Sequence, residues 1–276
     1  MRRRQHVAED VSIHQFRGGA AAPLVLLHGA TSSWKCWRDV IPHLTGQFDV
    51  LAPNLPGHAG RPRPARPHTI DDLADALEAE LDAAGIETAH LAGNSLGGWL
   101  AVELAQRGRA RSVVALSPAG GWHPGEKRLL RHFYSMRRMA HVARIIPHFL
   151  LRSARLRRYS LRAACEHGDR LTPRQALASA KAARACVLND FSELGDGLEP
   201  QRYGGLTTPV LIAWSEHDRI IPAAHYTDRW RQEVPAAAWK TLADVGHCPM
   251  YDDPTLVAQT ILEWTANHPQ SPTPIS

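Results

Sequence analysis

One short segment constrains the fold of this 276-residue chain more than any other: Gly-Asn-Ser-Leu-Gly at residues 93–97. Residues 88–92, Thr-Ala-His-Leu-Ala, are predicted to form a short buried strand, and residues 98–105 are predicted to form a helix. A strand that turns directly into a helix brings two backbones so close that a β-carbon at either glycine would clash. The pattern therefore predicts a tight strand–turn–helix unit that presents the Ser95 hydroxyl above the end of a sheet.

Apolar runs typical of strands alternate with helical patterns along most of the chain. The predicted strands are 11–16, 24–28, 48–52, 88–92, 112–116, 209–214 and 238–242. The predicted helices in the same parts of the chain are 33–44, 70–84, 98–105, 223–233 and 253–267. This alternation predicts an α/β fold with one mostly parallel central sheet and helices on both of its faces.

A long stretch without strand-like runs, residues 122–203, interrupts this alternation between two core strands. It holds 16 Lys and Arg against 7 Asp and Glu, in a chain whose net charge is +5. Its basic residues are scattered along helical patterns, which favours a solvated helical face over a binding surface. We interpret residues 1–121 and 204–276 as the α/β core and the stretch between them as an inserted helical cap. Helices are predicted there at residues 128–144 and from Thr172 onward.

Composition and motifs limit which cellular compartment and which cofactors we expect for this chain. The chain has no run of about 18 apolar residues, which a membrane-spanning helix needs, and no apolar segment typical of a signal peptide. Its four cysteines, Cys36, Cys165, Cys186 and Cys248, show no disulfide or metal-ligand spacing. Phosphate loops and dinucleotide fingerprints are absent from the sequence. We expect a cytoplasmic bacterial protein, monomeric or homodimeric, that acts on a small molecule without cofactor, metal, nucleic acid or stable membrane insertion.

Three side chains of complementary chemistry follow predicted strands in the order Ser, Asp, His. Ser95 lies in the strand–helix turn, Asp218 follows the strand at 209–214, and His247 precedes the last helix. A serine hydroxyl is a weak nucleophile at neutral pH, so it needs a base to take its proton and an acid to orient that base. The order predicts a catalytic triad of these three residues, with Glu216 as a rival acid.

Attack by a serine on a carbonyl group also needs donors for the negative oxygen that develops on the substrate. The predicted donors are the backbone N–H groups of Leu96, directly after the serine, and of Ala30, in the loop after the strand at 24–28. Thr31 is the alternative second donor. The residues predicted to line the substrate pocket are His28, Gly29, Thr31, Asn94, Trp122, Phe133 and Met136.

Taken together, these motifs resemble those of the α/β-hydrolase superfamily, over nearly the whole chain outside the cap. The segments that carry the resemblance are His28-Gly29, residues 54–58, residues 93–98, Asp218 and Gly246-His247. The resemblance implies hydrolysis through an acyl-enzyme. Epoxide hydrolases and haloalkane dehalogenases resemble this chain in fold but use an aspartate as nucleophile, where this chain has Ser95.

The serine turn is also similar to that of the meta-cleavage-product hydrolases, which break carbon–carbon bonds. That branch usually has a glycine-rich segment after His-Gly and a tryptophan after the catalytic histidine. This chain has Ala30-Thr31-Ser32-Ser33 and Cys248 at those places. We therefore predict a serine hydrolase of ester-like substrates, of carboxylesterase or lactonase type. The competing hypotheses are a carbon–carbon bond hydrolase, a thioesterase or acyltransferase, a non-catalytic ligand receptor on the same fold, and a membrane-contacting role for the basic cap.

Overall fold

A computed structural model of the chain describes residues 15–19, 21–62, 69–123, 151–186 and 198–269. The strands in these residues are β1 (Gln15–Gly18), β2 (Ala22–Leu27), β3 (Phe48–Pro53), β4 (Ala89–Asn94), β5 (Ala110–Leu116), β6 (Val210–Ser215) and β7 (Ala238–Leu242). They form one sheet in the order β1-β3-β2-β4-β5-β6-β7. The edge strand β1 runs antiparallel to β3, and the other neighbouring pairs are parallel. The predicted mostly parallel sheet is confirmed.

Helices follow most of these strands. Those in the described residues are α1 (Ile41–Leu44), α2 (Ile70–Ala83), α3 (Leu96–Gln106), α4 (Ala154–Leu161), α5 (Pro173–Ala185), α6 (Ala223–Glu233), α7 (Pro249–Asp252) and α8 (Pro254–Ala266). A 3-10 helix at Trp34–Trp37 precedes α1. Both α2 and α5 begin with a capping box, formed by Thr69 with Asp72 and by Thr172 with Gln175. These side chains satisfy backbone N–H groups that a helix start leaves without partners.

The core has two layers because side chains alternate between the two faces of each strand. Along β2, Val25 and Leu27 belong to a buried cluster that also contains residues of α2, α3 and α6. Leu24 and Leu26 belong to a second cluster, on the other face, with residues of α1 and α8. The sheet is therefore covered on both faces, which explains why its central strands read as continuous apolar runs.

The predicted helix over residues 33–44 is wrong as one element. The structure has the 3-10 helix at Trp34–Trp37 and then a separate short helix α1 that begins at Ile41. Pro42 lies in the first turn of α1. Proline has no N–H, and its ring clashes with the carbonyl group four residues earlier in a continuous helix. The helix therefore has to restart immediately before this proline.

One other boundary differs from prediction. Strand β4 continues to Asn94, so the chain leaves the sheet directly into Ser95. The predicted last helix over residues 253–267 is confirmed as α8, which Asp253 caps by accepting a hydrogen bond from the Leu256 N–H at 2.8 Å, whereas the short helix α7 before it was not predicted. The predicted strand residues 11–14 and the predicted helix at 128–144 lie outside the described residues.

Between β5 and β6, the described residues contain the helices α4 and α5 and no strand. This helical content agrees with the predicted insertion, whose boundaries at residues 122 and 203 remain a prediction. In the part of the chain that the structure describes, no helix is both long and apolar enough to cross a bilayer.

Candidate active site

Ser95 occupies the turn between β4 and α3 in a strained conformation, with φ of 56° and ψ of −116°. Such a backbone is costly for a residue with a side chain, and it persists only where its surroundings impose it. Here the surroundings are two close approaches: a β-carbon on Gly93 would lie 2.1 Å from the Gly97 carbonyl oxygen, and one on Gly97 would lie 2.2 Å from that of Leu27. The predicted steric need for both glycines is confirmed.

Asp218 and His247 form a buried hydrogen-bonded pair. The distance from the His247 Nδ1 to the Asp218 Oδ2 is 2.7 Å, and the two side chains are 5% and 0% exposed, respectively. The other carboxylate oxygen of Asp218 accepts the N–H groups of Ile220 and Ile221, at 2.9 and 2.8 Å. Because Nδ1 donates its proton to Asp218, the Nε2 of the neutral ring carries the lone pair and is able to accept a proton.

Asn94 connects the turn at Ser95 to the loop that carries His247, which lies between β7 and α7 and is called the histidine loop below. Its buried side-chain amide donates to the backbone carbonyl oxygens of His247 at 2.8 Å and Leu116 at 3.2 Å. Since Asn94 is the residue before Ser95, this contact fixes the backbone of the serine relative to the backbone of the histidine. Asn94 was predicted to line the pocket, and the structure uses its amide within the protein instead.

The loop after β2 passes directly beside Ser95. A β-carbon on Gly29 would lie 3.2 Å from the β-carbon of Ser95, so the absence of a side chain lets the two segments meet. Thr31 has a φ of 61°, and the Ser32 N–H closes the turn by donating to the Gly29 carbonyl oxygen at 3.2 Å. The structure therefore brings Gly29, which Ala30 follows in the chain, beside Ser95 at one end of the sheet.

Comparison with known proteins shows which family the chain belongs to. The sequence model of the Alpha/beta hydrolase family matches residues 24–260. The chain belongs to this family. Epoxide hydrolase EphH of Mycobacterium tuberculosis H37Rv is 32% identical over 197 residues, which are 68% of this chain and 91% of that protein.

Solved structures of similar fold include two kinds of hydrolase. Carboxylesterase CesB (YbfK) from Bacillus subtilis is 23% identical with a TM-score of 0.70, over 92% of this chain and 87% of that one. The meta-cleavage product hydrolase CumD from Pseudomonas fluorescens IP01 is 20% identical with a TM-score of 0.72, over 92% and 93% of the two chains. At this level of identity, the likeness shows the alpha/beta hydrolase fold alone.

Within this alpha/beta hydrolase, the rival acid Glu216 has another partner. Its side chain is 50% exposed, and it accepts the Asp244 N–H at 2.9 Å. Asp218, in contrast, is buried and in contact with the ring of His247. The geometry therefore favours Asp218 as the acid that orients the histidine.

Burial keeps two nearby thiols uncharged. Loss of hydration raises the pKa of Cys165 and of Cys248 well above the usual value for a thiol. A thiol reacts as a nucleophile in its thiolate form, so neither cysteine competes with Ser95 at neutral pH. Among the described residues, no group of three or more His, Cys, Asp or Glu is arranged to hold a metal ion.

His28 supports the loop beside Ser95 from within the core. It is fully buried, its Nδ1 donates to the Gly29 carbonyl oxygen at 2.7 Å, and its Nε2 accepts the Leu55 N–H at 2.9 Å. The ring of His58 meets that of His28 edge-on, with 5.1 Å between centroids. Burial lowers the pKa of His28 well below its usual value and that of His58 to about 4. Both rings are therefore neutral at pH 7, and His28 holds the loop rather than lining the pocket.

Because His28 and His58 are buried without charge, we expect the folded protein to lose stability in mild acid. His58 takes up a proton near pH 6.5 when unfolded and near pH 4 when folded, so the unfolded state binds more protons between these values and the free energy of unfolding falls as the pH falls. The shift corresponds to about 3 kcal/mol between pH 7 and pH 4. We expect His58→Asn to reduce this dependence by about 3 kcal/mol relative to the wild type in urea titrations at several pH values, while the contribution of His28 remains. His225→Asn, at an exposed histidine of α6, should retain it; equal slopes for His58→Asn and wild type would contradict the assignment.

Three further residues were predicted to line the pocket, and the structure describes one of them, Trp122. Trp122 is 7% exposed and packs edge-to-face against Trp99, with 5.4 Å between ring centroids. Phe133 and Met136 lie outside the described residues.

One contact of the histidine loop was not predicted from the sequence. The Cys248 N–H donates to the Ala164 carbonyl oxygen at 2.8 Å, and a β-carbon on Gly246 would lie 2.9 Å from the backbone of Cys165. The segment between α4 and α5 therefore packs on both neighbours of His247. Backbone contacts between residues far apart in the chain leave no periodic pattern in the sequence. The sequence signal nearest to this contact is the acidic residue Asp252 in α7, the helix that follows His247.

Proposed function

We propose that the protein is a serine hydrolase of ester-like carbonyl substrates, with Ser95 as nucleophile, His247 as base and Asp218 as the orienting acid. The observation that carries this proposal is the buried 2.7 Å bond between Asp218 and His247, which leaves the Nε2 of the histidine available as a base. The amide of Asn94 anchors the histidine loop to the residue before Ser95. Together these contacts supply a base and a serine held in a strained turn.

In this mechanism, the Ser95 Oγ attacks the carbonyl carbon while its proton moves to the Nε2 of His247. The imidazolium is stabilised by the Asp218 carboxylate. The backbone N–H groups of Leu96 and Ala30 stabilise the negative charge on the carbonyl oxygen. The imidazolium then protonates the leaving alcohol, and a water molecule, deprotonated by His247, releases the acid from Ser95.

The proposal excludes epoxide hydrolysis even though EphH is 32% identical over the aligned region. A carboxylate that opens an epoxide forms an ester, which water can cleave. A serine oxygen that opened an epoxide would form an ether, which has no carbonyl group for water or an oxyanion hole to act on. With Ser95 at the turn, the chemistry therefore requires a substrate whose serine adduct water can cleave, and the acyl-enzyme of a carbonyl substrate is such an adduct.

A carbon–carbon bond hydrolase is the second candidate, and Arg184 is the residue that we propose would bind the substrate carboxylate in that case. Such an enzyme has to bind the carboxylate of its substrate, and the planar guanidinium group of arginine matches a carboxylate with two hydrogen bonds. Arg184 lies half-buried in the last turn of α5. Arg174, at the exposed start of the same helix, offers a matched control.

A substrate panel separates these candidates: a short-chain aryl ester, a lactone, a thioester, an aryl epoxide and a vinylogous diketone acid. We expect turnover of the ester and none of the epoxide or the diketone acid. Arg184→Ala and Arg174→Ala should each change ester turnover by less than about tenfold, equivalent to about 1.4 kcal/mol. Cleavage of the diketone acid that is lost in Arg184→Ala and kept in Arg174→Ala would establish the carbon–carbon activity instead.

Two further outcomes of the panel would assign a different activity. A strong preference for the thioester over the oxygen ester would assign a thioesterase, and release of product only with an added alcohol or thiol would assign an acyltransferase. Absence of turnover together with absence of labelling by a fluorophosphonate probe would contradict the enzyme proposal and favour a ligand receptor.

A further inference from the structure

A buried carboxylate outside the Asp218–His247 pair connects the histidine loop to the segment between α4 and α5. Asp252 is 3% exposed, and its carboxylate accepts three backbone N–H groups. Its Oδ2 accepts those of Gly246 at 2.8 Å and Glu166 at 2.9 Å, and its Oδ1 accepts that of His167 at 2.7 Å. Hydrogen bonds to an ionised acceptor are stronger than those between neutral groups, and burial strengthens them further.

These bonds hold both sides of His247. Gly246 precedes the histidine and is bound by the Asp252 carboxylate, whereas Cys248 follows it and donates to the Ala164 carbonyl oxygen at 2.8 Å. Arg170 adds a bond from its guanidinium to the backbone carbonyl oxygen of Asp252 at 3.1 Å. The loop that carries His247 is thus bound to a segment about 80 residues earlier in the chain.

We propose that Asp252 is a positioning residue for His247, and that through it residues 164–167 of the predicted insertion take part in setting the geometry of the base. The inference rests on the proposed function, in which His247 must face Ser95 while its Nδ1 stays bonded to Asp218. A displacement of about 1 Å in a reacting group can cost about 100-fold in rate. A loop held on both sides by the same junction resists such a displacement.

The matched substitutions Asp252→Asn and Asp244→Asn test this role. An asparagine at position 252 keeps the size but accepts hydrogen bonds on one side only, so its NH2 group faces at least one N–H donor. Asp244 contacts the same neighbour, with 2.9 Å between its Oδ2 and the His167 Nε2, but its side chain is 68% exposed. Its φ of 56° is a conformation that asparagine tolerates.

For Asp252→Asn we expect kcat for an aryl ester to fall by about 10- to 100-fold with little change in KM. The proton between His247 and Asp218 should give a far-downfield NMR signal in the wild type, and we expect this signal to shift or broaden in the variant. Asp244→Asn should leave both kcat and the signal unchanged. The signal requires no substrate, so its loss in Asp252→Asn alone would support the positioning role even if the wild type cleaved no ester.

An unchanged kcat and signal in folded Asp252→Asn would overturn the proposal, and so would a lower kcat with an unchanged signal, because the effect would then not act through His247. If Asp252→Asn does not fold, Asp252→Glu takes its place. It keeps the charge but extends the side chain by one methylene group, and we expect it to shift the signal and lower kcat. Wild-type values for both in Asp252→Glu would also overturn the proposal.

Discussion

Replacement of Ser95 by alanine is expected to lower kcat/KM for a short-chain aryl ester by at least about 10⁴-fold. The substitution removes the attacking oxygen and leaves no other group at the strained turn between β4 and α3 to form the acyl-enzyme. His247→Ala and Asp218→Ala are expected to cause large losses as well. Because the three residues act as a unit, the double variant Ser95→Ala/His247→Ala should be hardly worse than Ser95→Ala alone.

Ser215→Ala is the matched control for this experiment. Ser215 ends β6 and is 1% exposed, and within the described residues its hydroxyl group has no hydrogen-bond partner. The same atom is removed at the same edge of the sheet, so we expect esterase activity within about twofold of wild type. Steady-state kinetics and fluorophosphonate labelling measure both variants. Ester turnover that survives in Ser95→Ala would contradict the proposed mechanism.

Local features of the sequence were sufficient to predict the serine turn. The two glycines on either side of Ser95 are required by backbone contacts within a few residues of the turn and with the end of β2. Likewise, Thr69 and Thr172 cap their helices through side-chain contacts three residues away. The alternation of apolar runs also predicted the order of strands and helices, because each core strand is buried on both faces.

The direction in which a side chain points was harder to predict. His28 and Asn94 follow buried strand residues and were predicted to line the pocket, but both donate hydrogen bonds to backbone carbonyl groups inside the protein. Composition does not distinguish a polar residue that faces a substrate from one that satisfies a buried backbone group. The contact of residues 164–167 with the histidine loop depends on tertiary packing and was not predicted at all.

A second buried carboxylate, Glu103 on α3, binds the segment that returns from the predicted insertion to the core. Its side chain is 3% exposed. The Oε2 accepts the Arg202 Nε at 3.0 Å and the Tyr203 hydroxyl at 2.9 Å, and the Oε1 accepts the Arg107 Nε at 3.0 Å. The Tyr203 hydroxyl in turn accepts the Trp99 Nε1–H at 3.0 Å. Burial and the charge of Glu103 raise the pKa of Tyr203 well above its usual value, so this hydroxyl remains a donor.

Glu103→Ala should therefore lower the free energy of unfolding by about 3 kcal/mol, measured by urea denaturation at pH 7. Removal of the Glu103 carboxylate leaves the Tyr203 hydroxyl without its acceptor, and it leaves Arg107 and Arg202 with fewer partners. Helix propensity is not the cause, because alanine is the better helix former. Asp75→Ala removes another partner of Arg107, but at a side chain that is 69% exposed, so we expect a loss below about 1 kcal/mol. Equal losses for the two variants would contradict the view that burial makes the Glu103 contacts important for the stability of this junction.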